Sequence, residues 1–347
     1  MAQIQAENVA DFVADTLRDL GKPKFTDISS NRQNHTVMKH LVRQNAHVLE
    51  SGVQIQFNVL VGQSNAFRTV SLGQSDQVNM VDGMVQAVAP WRHCQTSYMV
   101  IHQLMSMNRE PARIVDFVKQ QRLMAMISLT EGMETLFWSA PSATDNLTPY
   151  GLPYSITKNA TKGFNGGALT GYANKFGLVN TTYPNWANWT APYTAISRDD
   201  FIRQAREMAV KTDFLPPVDG IPTPNTGDEH GYYCNYATLQ PLEEALESQN
   251  DSLGPDIASM DGHVHFRGVP VTYVPALDPD TTNPLYAINW GWFKTYKLRG
   301  EWMRETYIPY TPGSHNIASH FIDLTLQWVH KNPRSSGVIS NGTTYPS

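Results

Sequence analysis

His263 and His265 stand two apart in the stretch DGHVHFRGVPVTYVPALD, from Asp261 to Asp278. Side chains alternate between the faces of a β-strand, so a strand here would aim both imidazoles to one side. Paired imidazoles are zinc-ligand chemistry, but zinc takes three or four ligands. Glu229, His230 and Cys234, the nearest further candidates, have no spacing that converges on the pair. A metal-dependent barrel would carry such a pair on its first strand with most of the chain still to come, and here little chain remains. The expectation is a structural strand without metal. The glycine-rich run GFNGG, Gly163 to Gly167, lacks the Lys-Ser/Thr of a phosphate-binding loop and reads as turn backbone. Tyr183, Trp186, Trp189 and Tyr193 form an aromatic cluster that could stack nucleic-acid bases, but no interleaved Lys or Arg accompanies them. Core or subunit contact is the better reading of that cluster.

One further candidate is nucleophilic. The block LVGQSNA, Leu60 to Ala66, resembles the nucleophile block of SGNH-type carbohydrate esterases, which would make Ser64 the attacking group. That chemistry needs a histidine base oriented by an aspartate, which those enzymes supply from a late Asp-x-x-His. No aspartate in this chain is followed three residues later by histidine, and Gly-Gln-Ser recurs at Gly73–Ser75 as turn chemistry would have it. The esterase reading is an alternative, and the chain is expected not to be an enzyme.

The elements that would have to position such groups are unusual in order. Residues 1–50 are polar and helical in pattern, with Val9, Phe12, Val13, Leu17 and Leu20 in one apolar stripe, an arm rather than a domain. Val53, Ile55, Phe57, Val59 and Val61 then alternate with Gln54, Gln56 and Asn58, a clear strand signal. Past a turn-rich tip, Val78, Met80, Val85 and Val88 lead toward Ile101, which makes a long hairpin with one apolar and one amide-rich face. An isolated two-stranded ribbon is marginal in water and must lie on something else. Asn108 and Pro111 then open a helix with Val115, Val118, Ala125, Leu129, Met133 and Leu136 at helical spacing. About 27 residues of helix span on the order of 40 Å, a structural beam.

Ser197 caps a second helix through Phe201, Ala205 and Met208. The run DFLPPVDGIPTPNTGDEHG reads as a loop, YYCNYATL as a short strand, and QPLEEALES as a helix. The stretches around Val264–Val274 and NPLYAINWGWFKTYKLRGEWMRE are β in character. In HNIASHFIDLTLQWVH, Ala318, Ile322, Leu324, Leu326 and Trp328 alternate with Ser319, Asp323, Thr325 and Gln327.

Composition narrows the classes. The chain has 347 residues, 41% hydrophobic and only 16% charged, against about 25% in ordinary soluble domains. A surface so poor in charge fits one that largely faces other protein. A net charge of -5 supplies no basic field for nucleic-acid reading. Cys94 and Cys234 are isolated, which reads as buried thiols in a reducing compartment. The acidic N-terminus lacks a signal-peptide pattern and no apolar run is long enough to span a bilayer, so the chain reads as cytosolic at synthesis.

The order of arm, long hairpin, beam helix, irregular α/β region and terminal return strand resembles the Hong Kong 97 fold of tailed-phage major capsid proteins, an α+β class. The segments ESQNDSLGPDIASMDGHVHFRGVPVTYVPALDPDTTNPLYAINWGWFK and SHNIASHFIDLTLQWVHKNPRSSGVIS are similar to the C-terminal half of those proteins. The resemblance runs from about residue 50 to the end. It implies an N-terminal arm at 1–50, an E-loop hairpin with its base at 51–108, and a peripheral domain with the spine helix at 109–165 plus 314–329. It also implies an axial domain at 166–313 plus 330–347. Phe57, Val59, Val61, Arg68 and Val70 of the hairpin would contact neighbouring subunits, with no catalytic, metal or cofactor site. The implied role is a shell of pentamers and hexamers enclosing double-stranded DNA, assembled in the host bacterial cytoplasm with a separate scaffolding protein, a portal and a decoration protein, away from membranes. The alternative shell is an encapsulin, a cellular compartment of the same fold. The namesake of the fold crosslinks an E-loop lysine to a neighbour's asparagine, yet no lysine occurs between Lys39 and Lys119 here.

Overall fold

A computed structural model describes residues 36–37, 46–64, 67–72, 82–103, 111–213, 230–247, 264–309 and 316–342. The expected arm stripe, the Asn108 cap, the Pro-rich loop after Asp213 and His263 lie outside the described residues. Among the described residues three β-sheets and one long helix carry the architecture.

The long helix runs from Pro111 to Trp138. Proline at its first position lacks only an N–H that would be unpaired there anyway, and its ring presets φ for the helix. Val118, Ala125, Leu129, Met133 and Phe137 recur every seven or four residues and are all buried, so one stripe faces the core along most of the length. Glu134 sits in that stripe with no exposure. Its carboxylate accepts from the Trp138 indole at 2.6 Å and from the Val37 backbone N–H at 3.0 Å, which ties Val37 to the helix.

The first sheet has the order β1-β11-β12-β4: Ala46–Leu49, Phe293–Ile308, Ile317–His330 and Arg92–Ile101. β11 and β12 are antiparallel, as are β12 and β4, while β1 joins β11 in parallel. β12 bears out its alternation: Ala318, Ile322, Leu324, Leu326 and Trp328 are fully buried. Thr325 and Gln327, on its other face, are buried as well, because the root of the hairpin covers that side. β11 shifts register twice, between Lys297 and Trp302, where Gly300 has φ 80°, and between Trp302 and Arg304, where Met303 has φ 52°. Segment 293–308, placed by the sequence reading within an axial unit, thus pairs with the return strand.

The second sheet has seven strands in the order β5-β6-β13-β10-β7-β9-β8: Gly163–Gly166, Asn188–Tyr193, Gly337–Asn341, Leu285–Asn289, His230–Cys234, Val269–Tyr273 and His265–Phe266. Every residue of the central β10 is buried, as a strand covered on both faces requires. Tyr286 and Ile288 face Phe137 and Trp138 at the end of the long helix, together with Trp290, Phe293 and Trp328. Leu285 and Ala287 face Phe201, Ala205 and Met208 of the helical segment 198–211. The helix end therefore cements both sheets, with Phe137 5.3 Å from Trp328 of the first and Trp138 6.4 Å from Tyr286 of the second between ring centroids.

Ser197 caps as its sequence predicts, its Oγ accepting from Asp200 N–H at 3.3 Å. Two expectations need correction. YYCNYATL is a strand only to Cys234, since Asn235 Oδ1 accepts from Thr238 N–H and caps a helix from Tyr236 to Glu247. The stretch around His265 is not one strand: Arg267 at φ 52° and Gly268 at φ 80° turn it into a tight hairpin, pairing His265 with Pro270.

The third sheet is the predicted ribbon in part: its second strand ends at Pro90, the run from Arg92 to Ile101 that was expected to continue it is β4 of the first sheet, and Val78 and Met80 lie outside the described residues. β2, Gln54–Leu60, pairs antiparallel with β3, Met84–Pro90, from Gln54 opposite Pro90 to Leu60 opposite Met84.

Candidate intersubunit interface

The ribbon has two ends with opposite characters. At its base, Ile55, Ala87 and Ala89 are fully buried against Tyr154, Phe176, Leu178 and Trp186 of the same chain, with Phe57 and Val59 packed half-buried beside them. The Phe57 ring lies 6.1 Å from that of Phe176 and 6.5 Å from that of Trp186. Polar contacts reinforce the seat. Val88 N–H donates to the Phe176 carbonyl at 2.9 Å, Trp91 Nε1 to the Gly52 carbonyl at 2.9 Å, and Gln327 Nε2 to the Pro90 carbonyl at 3.1 Å. Gln327 Oε1 accepts from Tyr150 N–H at 2.9 Å, so this one buried amide joins β12, the ribbon and the loop after the long helix. The opposite face is the amide-rich one, with Gln86 Nε2 donating to Gln56 Oε1 at 3.1 Å in solvent.

Away from the base the burial ends. Leu60, Met84 and Val70 are more than half exposed, Phe67 is 95% exposed and Leu72 is wholly so. Several large apolar side chains exposed along one short segment are a stronger mark of an interaction site than single ones spread over the surface. Of the residues expected to meet neighbours, Arg68 and Val70 are exposed beyond the base, Val61 is half-buried at the end of β2, and Phe57 and Val59 pack within their own chain.

The other candidates have ordinary places. Trp186, Trp189 and Tyr193 are buried core, and Tyr193 Oη donates to the Asn283 carbonyl at 2.7 Å. Gly163–Gly166 is the edge strand β5, where a side chain at Gly166 would collide with the Asn188 amide. Ser64 is exposed past the end of β2. His93, His230 and His330 bond Thr325, Asn289 and Ser336. Burial pushes the Cys234 thiol up to about 12 and raises that of Cys94, so neither is an activated nucleophile. Among the described residues no group of three or more His, Cys, Asp or Glu is placed to hold a metal. A cavity of about 350 Å³ beside β8 and β9 is lined by Arg198, Phe201, Arg206, Leu242 and His265, with no serine, cysteine or carboxylate among its described lining. No helix is long and apolar enough to cross a membrane among the described residues.

Sequence reasoning missed Lys175, which is fully buried although it is charged in water, and Phe176 beside it. The only local signal is Gly177 after Phe176, a weak mark of a turn.

No protein-family model matches the chain. No curated protein sequence matches it either. Solved structures do. A capsid chain of Cyanophage A-1(L) is 16% identical over 92% of this chain and 97% of its own, with a TM-score of 0.57. The capsid of a native GTA particle is 9% identical over 93% and 96%, with a TM-score of 0.58. The SrpI encapsulin of Synechococcus elongatus PCC 7942 is 12% identical over 96% and 97%, with a TM-score of 0.55. These likenesses run nearly end to end on both sides, and they make the chain a mixed α+β protein with the Hong Kong 97-like fold that these phage-capsid and encapsulin chains share.

Proposed function

We propose that this chain is the major capsid protein of a tailed bacteriophage, a structural subunit that builds an icosahedral shell from pentamers and hexamers around double-stranded DNA. The observation that carries the reading is the ribbon, whose base is seated on its own chain while its far part presents Phe67, Val70 and Leu72 to solvent. Apolar area of that kind is stabilising only when another surface covers it. Another copy of the chain is the occupant, because a projecting element that meets a different patch on its neighbour makes heterologous contacts that close into rings. The solved capsid structures of the same fold support a shell.

In this reading the long helix and the four-stranded sheet form the peripheral unit and the seven-stranded sheet the axial one. A scaffolding protein, a portal and a decoration protein act beside the chain, and the net charge of -5 suits a wall that contains DNA without binding it tightly. The encapsulin match spans as much of the chain as the phage matches, which keeps a protein-filled cellular compartment as the second reading. Electron microscopy of the purified protein, alone and with its scaffold, tests the proposal. Closed shells or capsomers are the expected result, with nucleic acid rather than a cargo enzyme inside particles from infected cells. A compact monomer by light scattering at high concentration, scaffold present, overturns the shell reading.

A further inference from the structure

The ribbon is gripped by a turn whose shape is costly to hold. Lys175 and Leu178 exchange backbone hydrogen bonds at 2.9 and 3.1 Å, and between them Phe176 has φ 53° and Gly177 φ 82°. Two positive φ values in a two-residue loop make a type I′ turn, natural for Asn-Gly but unfavourable for a bulky residue at the first position. Phe176 nevertheless occupies it, with no exposure. In that conformation the residue touches both strands of the ribbon: its carbonyl accepts from Val88 N–H on β3, and its ring packs on Phe57 of β2. Its own N–H donates to Tyr154 Oη at 3.1 Å.

The surroundings over-determine the turn. Lys175 Nζ donates to the Ser155 carbonyl at 3.0 Å, the Gly166 carbonyl at 3.1 Å and Asn188 Oδ1 at 3.2 Å. Three acceptors match the three N–H bonds of an ammonium group, and none of them is a carboxylate. The Lys175 carbonyl in turn accepts from Trp186 Nε1 at 3.0 Å. A salt bridge or an apolar residue would be the ordinary content of such a site, so a lone buried lysine held by neutral acceptors has to be accounted for.

We infer that Lys175–Leu178 is a latch that sets the direction in which the ribbon leaves the body, with Lys175 and Phe176 as its positioning residues. Lys175 pins the turn to three separate segments, and Phe176 transmits that position to β2 and β3. The consequence for assembly rests on the shell reading above, whereas the latch itself is a property of the single chain. Strained backbone persists only where its surroundings hold it, and it collects where geometry matters to function.

Hydrogen exchange of the unassembled full-length chain, followed by mass spectrometry, tests the latch. In Lys175→Met, amides of 84–89 should exchange at least tenfold faster than in wild type, while those of β10 and β12 stay unchanged. Should that variant fail to fold, Gly177→Ala strains the same turn without touching the buried amine, and the same selective loss is expected. A uniform rise across all sheets, or an unchanged ribbon, overturns the latch and leaves Lys175 as a core group. Shells of normal size from a variant with a loosened ribbon overturn its role in assembly. A wild-type chain that never assembles sinks the shell reading alone, since the exchange result still decides the latch.

Discussion

Changing the ribbon at its base and changing it at its far end should produce opposite failures. Phe67 and Leu72 have almost no contact with their own chain, so Phe67→Ser or Leu72→Ser removes nothing from the folded monomer. If a neighbour buries these side chains, each is worth about 2 kcal/mol at the interface, within the range for covering a Phe or Leu. At about 1.4 kcal/mol per factor of ten, each substitution should raise the concentration needed for assembly on the order of thirtyfold. Phe57 is the converse. It packs on Phe176 and Trp186 within the chain, so Phe57→Ala should cost about 2 kcal/mol of monomer stability, less than a fully buried phenylalanine because it is only half covered. Light scattering against concentration reads the first effect and the urea midpoint of unassembled protein reads the second. The reasoning is refuted if Phe67→Ser and Leu72→Ser assemble at the wild-type threshold, or if they lower the urea midpoint as much as Phe57→Ala does.

Burial lowers the Lys175 amine to about 7 from its ordinary 10.5. The unfolded chain therefore holds a proton that the folded chain has released between those values, so the burial penalty is fully present below about pH 7 and shrinks as pH rises above it. Wild type should gain urea stability over Lys175→Met from pH 7 to 9, by at most about 1.4 kcal/mol per pH unit. His330, held down to about 3 by its burial and secondarily by the Lys175 charge, does not titrate in that window. Parallel curves over the whole range would reject this account. With no lysine between Lys39 and Lys119, particles boiled in detergent and reductant should run as one band near 38.9 kDa, and a surviving ladder of multiples would reveal another crosslink. Chelator-washed particles should hold no stoichiometric zinc by elemental analysis, because His265 sits in a two-residue strand with no converging third ligand among the described residues.

Local periodicity was sufficient for the elements. The alternation from Ile55 to Val59, that from Ala318 to Trp328, and the helical stripe from Val118 to Met133 each stand in the structure as their spacing predicts, because a strand or helix with one buried face imposes its own period, whereas Val53 and Val61 fall outside the strand. Ser197 marked its helix for an equally local reason, a side-chain oxygen within reach of an N–H three residues on. Pairing was not legible. Nothing in the short run Gly337–Asn341 says that it enters between β6 and β10, because strand hydrogen bonds join backbone groups far apart in sequence. Local signals also misled where tertiary contacts outweighed them. The aromatic run at Tyr232–Tyr236 looks like continuous strand until Asn235 caps the helix, and Arg267 stands where Asn, Asp or Gly usually announces a type I′ turn.

The candidate interface divides in the same way. Val70 and the missing lysine were legible from residue types alone, whereas Phe67 and Leu72, the most exposed apolar residues of the segment, were not singled out. Which of the apolar residues face solvent and which the chain covers for itself was not legible, because Phe57 and Leu72 are equally apolar on paper. That difference arises only when the turn at Phe176, more than a hundred residues after Phe57, folds back beneath the ribbon. The buried Lys175 that holds this turn has its place for the same reason, since no sequence pattern signals a cation in the core and only three carbonyl-type oxygens brought together from distant segments make its burial tolerable.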